Sequence, residues 1–196
     1  MPVKTAPGKV RIIGGQWRGT RLDVPDVRGL RPTSDRARET LFNWLQPVLP
    51  GASVLDLFAG TGALGLEAVS RGARRALLVE RDPALAAALS ATAARLPGGD
   101  AVDVRRGDAL QLLAAGGAAL GGAAFDIAFV DPPFDDALWP AVLAALPTVL
   151  QSDAWLYLES RAGQPARPGQ GWQLHRELQT RESHNALYRR NVAADG

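Results

Sequence analysis

The sequence predicts an α/β fold: a mostly parallel sheet with helices on both faces, preceded by a small N-terminal β-hairpin and helix. Three observations carry that prediction. From residue 53 to about residue 160, short apolar runs alternate with amphipathic helical stretches. The runs are apolar on both faces, as strands covered from both sides must be. Residues 10 to 48 lack this alternation and read as a separate unit.

Each element has its own signals. VRIIGGQWRGTRLDV (10–24) reads as two short strands around a glycine-rich turn. In the stretch that follows, Thr33 or Ser34 caps a helix with Ala37, Leu41, Trp44 and Leu45 on one face, and Pro47 stops it. Residues 1–48 are thus expected as a basic extension and residues 49–196 as the main domain. SVLDLF (53–58) is a strand, GALGLEAVSR (62–71) a helix ended by Gly72, and RALLVE (75–80) the next strand. Pro83 opens a helix running to about Arg95, since proline fits a first turn. AVDVRR (101–106), the helix DALQLLAA and the strand FDIAFV (125–130) follow, with GGAALGG (116–122) as a loop. A helix from about Asp136 to Leu146, with Pro140 in its first turn, leads to the strand AWLYLES (154–160). Past residue 171 the alternation stops, and WQLHRELQ and NALYRRN read as two adjacent strands that include one antiparallel edge. That makes seven strands, with right-handed crossovers in the parallel part.

Composition narrows the chemistry. A chain of 196 residues suits one core of ordinary size. With no cysteine there is neither a disulfide nor a thiolate metal site, and with two histidines, His175 and His184, no metal centre is expected. Neither a signal-peptide stretch nor a run of roughly 18 apolar residues is present, so the expectation is a soluble, cytoplasmic protein, taken as a monomer. Charge is uneven: residues 1–50 carry nine Lys/Arg against four Asp/Glu, residues 51–160 seven against thirteen, and residues 161–196 six against three. Basic ends around an acidic middle fit a polyanion held by the ends while the middle handles something small or cationic.

FAGTGALG sets Gly60, Gly62 and Gly65 in a G-x-G-x-x-G spacing between strand and helix, where backbone can approach a nucleotide-like cofactor. Glu80 ends the next strand, placed to accept from both hydroxyls of a ribose. Asp108 follows the third strand, where it can accept from an adenine amino group or simply cap the next helix. Phe58, Arg81 and Ala109 flank these positions and complete the candidate cofactor set with Asp56 and Asp131. NAD and S-adenosylmethionine both fit such a loop. Asp56 favours the second, because a carboxylate suits an ammonium and a sulfonium and repels a pyrophosphate. A dehydrogenase also needs a substrate domain, and only 36 residues follow residue 160.

FVDPPFDD (129–136) suggests the reaction. Strand four delivers Asp131 to the ligand-binding edge, and Pro132 and Pro133 turn the chain rigidly without backbone donors. A carboxylate and a carbonyl oxygen a few ångströms apart can grip the two N–H bonds of a conjugated amino group and aim its lone pair. Phe134 then stacks on the flat ring, a contact worth roughly 1–3 kcal/mol per base.

DLFAGTGALGLEA (56–68) with DPPF (131–134) resembles the class I, Rossmann-like S-adenosylmethionine-dependent methyltransferases that act on exocyclic or amide nitrogens. RIIGGQWRGTRL and RPTSDRARETLFNWL are similar to a narrower group, the bacterial small-subunit ribosomal RNA guanine-N2 methyltransferases, in their D member. The resemblance spans roughly residues 10 to 160. It implies methylation of the N2 amino group of one guanine in 16S rRNA, presented in an assembled or partly assembled small subunit. It also implies Gly60 and Gly62 in the cofactor loop, Glu80 on the ribose, Asp108 on the adenine and Asp131–Phe134 as the catalytic tetrapeptide. RESHNALYRR departs from the family pattern, which has a glycine-containing turn between the last strands. Two other readings stay open: a methyltransferase acting on DNA adenine or a protein glutamine amide, and a non-catalytic assembly factor with the same fold. Arg11, Arg18, Arg21 and Arg31, with Arg36 and Arg38, are candidate phosphate contacts, and Trp17 is a candidate stacking platform or a packing residue. Reversing Arg18 and Arg21 to Glu is expected to weaken rRNA binding in a filter assay and to flatten its salt dependence by about one slope unit per lost contact.

Overall fold

The computed structural model describes residues 10–22, 34–133 and 136–191; Arg31 and Phe134 lie outside them. A two-stranded antiparallel hairpin, β1 (Val10–Arg11) and β2 (Arg21–Leu22), comes first. Next is α1 (Asp35–Leu45), whose N-cap Ser34 accepts from the Ala37 N–H. The main sheet contains β3 (Ser53–Asp56), β4 (Arg75–Glu80), β5 (Val102–Arg106), β6 (Phe125–Val130), β7 (Leu150–Arg161), β8 (Trp172–Gln179) and β9 (Ser183–Arg190). Between them run α2 (Ala63–Ser70), α3 (Pro83–Arg95), α4 (Ala109–Ala114) and α5 (Trp139–Ala145).

Strand order is β5-β4-β3-β6-β7-β9-β8. Pairs among β3 to β7 are parallel, whereas β9 pairs antiparallel with both β7 and β8. The expected pair of adjacent strands with one antiparallel edge is present: β8 forms the edge and β9 lies inside the sheet. Burial explains the placement, because β9 is buried over its first six residues while β8 is largely exposed. The turn joining them holds no glycine. Instead the Thr180 hydroxyl accepts from the N–H groups of Glu182 and Ser183 at 3.2 and 2.9 Å, and the Thr180 N–H donates to the Ser183 carbonyl. β7 starts earlier than its apolar run suggests, because Gln151, Ser152 and Asp153 extend it while exposed.

Two apolar cores flank the sheet. One joins the hairpin (Val10, Ile12, Trp17, Leu22), α1, α2 and α3 to Ile127, Phe129 and Tyr157; the other packs α4 and α5 on the opposite face. The hairpin is held by more than apolar contact. Glu67, fully buried in the otherwise apolar α2, accepts from the Ile13 and Gly14 N–H groups, each at 2.7 Å. Arg71 pairs with the same carboxylate at 2.6 Å, and the buried Arg38 of α1 approaches it at 3.8 Å. Arg38 also donates to the Arg11 carbonyl and to Asp35. Gly15 lies against the end of α2 with φ 75°, and a Cβ there would stand 1.8 Å from the Ser70 carbonyl oxygen. A glycine is required on both counts.

Removing one member of a buried ionic cluster leaves its partner charged and uncompensated. Glu67→Ala is expected to cost about 3–5 kcal/mol, read from the denaturant midpoint of unfolding at constant m-value.

Candidate active site

The sheet order reverses between β3 and β6, and open parallel sheets bind ligands at such a reversal. A cavity of about 520 Å³ opens there, across the C-terminal ends of β3 to β7. Five carboxylates from successive parallel strands line it: Asp56, Glu80, Asp108, Asp131 and Glu159.

Asp56 closes β3 and is almost wholly buried. Its Oδ2 accepts from the Gly65 N–H at 2.9 Å, tying the strand to the first turn of α2. Burial pushes its carboxyl up to about 7; the Gly65 N–H works against that shift, the charge of Glu80 adds to it, and the Phe58 N–H opposes it. Glu80 grips the glycine loop: Oε2 accepts from the Gly60 N–H at 2.8 Å and Oε1 from the Asp82 N–H at 2.7 Å. Asp82 in turn caps α3 through the Ala84 and Leu85 N–H groups. Asp108 caps α4, with Oδ1 accepting from Gln111, and still faces the cavity. A carboxylate has about four acceptor sites, so these bonds orient Glu80 and Asp108 without exhausting them.

Of the sequence-derived cofactor set, Asp56, Phe58, Gly60, Glu80, Arg81, Asp108, Ala109 and Asp131 all line the cavity. Gly62 does not. It is the N-cap of α2 at φ 75°, where a Cβ would meet Leu89 Cδ2 at 2.3 Å, so it shapes the loop from behind. Pro132 and Pro133 line the cavity beside Asp131, Pro132 buried and Pro133 exposed. Phe134 falls outside the described residues.

The predicted RNA contacts divide. Arg11, Arg18, Arg21 and Arg36 are exposed. Trp17 is buried at 3% exposure, with its indole N–H donating to the Pro97 carbonyl at 2.9 Å, so it packs the hairpin and offers no face to a base. Arg38 is likewise corrected, being fully buried in the Glu67 cluster. Glu159 was not anticipated, since an acid near the end of an apolar strand reads as a solvated terminus; its even spacing from Tyr157 on the same face is the signal that could have found it.

Strand order, glycine loop and rim carboxylates together define a Rossmann-like class I methyltransferase. The cavity's donor set suits S-adenosylmethionine, with acceptors at three neighbouring strand ends and a buried acid beside the loop. Residues 10–189 match the family described as Conserved hypothetical protein 95. The chain is 44% identical to Ribosomal RNA small subunit methyltransferase D of Escherichia coli K12, over 99% of this chain and 96% of that protein. It is 37% identical to the protein of the same name in Haemophilus influenzae, over 89% and 91%. The solved structure of Escherichia coli yhhF superposes with a TM-score of 0.83 at 42% identity, covering 94% of this chain and 99% of that one. The chain belongs to this family of small-subunit ribosomal RNA methyltransferases.

Asp56 makes the fold pH-sensitive. Its folded pKa lies above the unfolded value of 3.8, so the folded state binds the extra proton between about 4 and 7 and loses stability as pH rises through that window. The full cost is on the order of 4 kcal/mol. Asp56→Asn, which keeps an oxygen for Gly65, is expected to flatten the unfolding free energy between pH 4 and 8 relative to wild type; parallel profiles would contradict the assignment.

Proposed function

We propose that this chain methylates the exocyclic N2 amino group of one guanine in 16S rRNA, in the small subunit or its assembly intermediate, using S-adenosylmethionine. The observation that carries the reading is the Asp131-Pro132-Pro133 turn at the end of β6, lining the same cavity as the strand-end carboxylates. Family membership supports the substrate class, because the curated relatives are named for small-subunit ribosomal RNA.

When bound, S-adenosylmethionine supplies an electrophilic methyl on a positively charged sulfur. Glu80 is placed for the ribose hydroxyls, Asp108 for the adenine amino group, and Asp56 for the cationic amino-acid end. Burial of Asp56 disfavours its ionised form, and a neighbouring cation restores that form. Asp131 and the Pro132 carbonyl hold the amino group by its two N–H bonds. The guanine nitrogen is a poor nucleophile while its lone pair is shared with the ring, so fixing its orientation is the main task of the protein. As positive charge grows on that nitrogen, the Asp131 carboxylate stabilises it and receives the proton. Phe134 is proposed to stack on the base, and Arg11, Arg18 and Arg21 to meet phosphates.

The reading is checked with tritiated S-adenosylmethionine and unmodified 30S particles, followed by nucleoside analysis, where labelled N2-methylguanosine is the expected product. Asp131→Ala should lower kcat by about two to three orders of magnitude, as loss of one fixed polar partner does elsewhere. A variant of undiminished rate would remove Asp131 from the chemistry.

A further inference from the structure

We infer that Glu159 reads the target guanine by accepting its N1–H, next to the N2 group held at Asp131, with Tyr157 and Asn185 as positioning residues. The inference rests on the guanine-N2 reading above. Three strands bring the groups together. β6 and β7 run parallel with Val130 opposite Leu158, so the next residues along, Asp131 and Glu159, stand level, and both line the cavity. On the far side Glu159 is opposite Asn185 of β9. One face of the sheet thus carries a polar row, Asp131 and Glu159 at the cavity and the buried Asn185 behind them. A buried row, Phe129, Tyr157, Leu187, lies one pleat below it.

The lower row is rigid. Phe129 meets Phe42 and Tyr157 edge-on, with ring centroids 6.0 and 6.2 Å apart. From this packed position the single Tyr157 O–H is shared between Asn185 Oδ1 at 2.7 Å and Glu159 Oε2 at 3.1 Å. Asn185 is oriented in its turn, because Nδ2 donates to the Leu178 carbonyl at 3.2 Å and to Ser183 Oγ at 2.9 Å, which turns its oxygen toward the tyrosine. A buried carboxylate (8% exposed) is held in one place by a ring that cannot shift without disturbing the core.

Guanine is the base whose N1–H and N2–H donors lie side by side on one edge. Two level carboxylates match that pair. A base with a bare N1 would put a lone pair against Glu159, and a site built to accept a hydrogen bond rejects an analogue lacking the donor far more strongly than shape alone does.

The test compares guanine with 2,6-diaminopurine, which keeps the 2-amino group but has no proton on N1. Nucleoside mapping of methylated 30S particles first locates the target; failure to find N2-methylguanosine there would refute the proposed function itself. Particles are then reconstituted around ligated 16S rRNA carrying either base at that position, and kcat/KM is measured for wild type, Glu159→Gln and Tyr157→Phe. Wild type is expected to prefer guanine by about 100-fold or more. The Glu159→Gln amide can accept from N1–H or donate to a bare N1, so its preference should fall below about tenfold, with cofactor affinity by calorimetry unchanged. Tyr157→Phe should fall between the two. A wild-type enzyme indifferent to the two bases, or a Glu159→Gln variant that is slower with the full preference intact, overturns the inference.

Discussion

Parallel pairing imposes the constraint on which the rest of this molecule depends. When β3 to β7 all run the same way, their C-terminal ends share one rim, and whatever residues follow those strands must face one another. Here they are acids. Five carboxylates on one rim repel, and each is buried or half-buried, so the arrangement costs free energy unless protons, N–H groups or a cation offset it. Gly65 and Gly60 donate to Asp56 and Glu80, and burial raises the Asp56 carboxyl to about 7, which favours its protonated form. A cation at the rim would supply the third, and mutual repulsion among these carboxylates disfavours an anionic ligand such as a dinucleotide pyrophosphate.

The basic hairpin belongs to the same physical unit as that rim. Its loop N–H groups end on Glu67, its Trp17 N–H on the Ser70 hydroxyl, and both acceptors lie on α2. The other end of α2 is the glycine loop, where Gly65 donates to Asp56. Exposed Arg18 and Arg21 are thus carried by a hairpin referenced to the helix that frames the cavity.

Much of this was legible in the residues. Apolar runs bounded by Gly and Pro located the parallel strands, Pro83 and Asp82 marked the start of α3, and the glycine spacing with Glu80 and Asp131 marked the cavity edge. What resisted reading depends on partners distant in sequence. Arg38 sits in an arginine-rich segment that suggests a nucleic-acid surface, yet it is buried beside Glu67, 29 residues away; of the two roles open to Trp17 the packing one holds, its indole N–H reaching Pro97, 80 residues away. The inside position of β9 follows from burial of NALY against β7, a comparison that no local pattern contains. Glu159 escaped notice because its neighbours on the rim come from other strands.

The eight residues of α2 carry two separate obligations. An α-helix advances about 100° per residue. A one-residue insertion between Gly65 and Glu67 would leave the loop geometry intact while swinging the carboxylate away from the hairpin. The length of this helix is therefore not free to drift: the two residues from Gly65 to Glu67, little more than half a turn of backbone, phase the hairpin against the glycine loop, and a change in that count would have to be matched at both ends together.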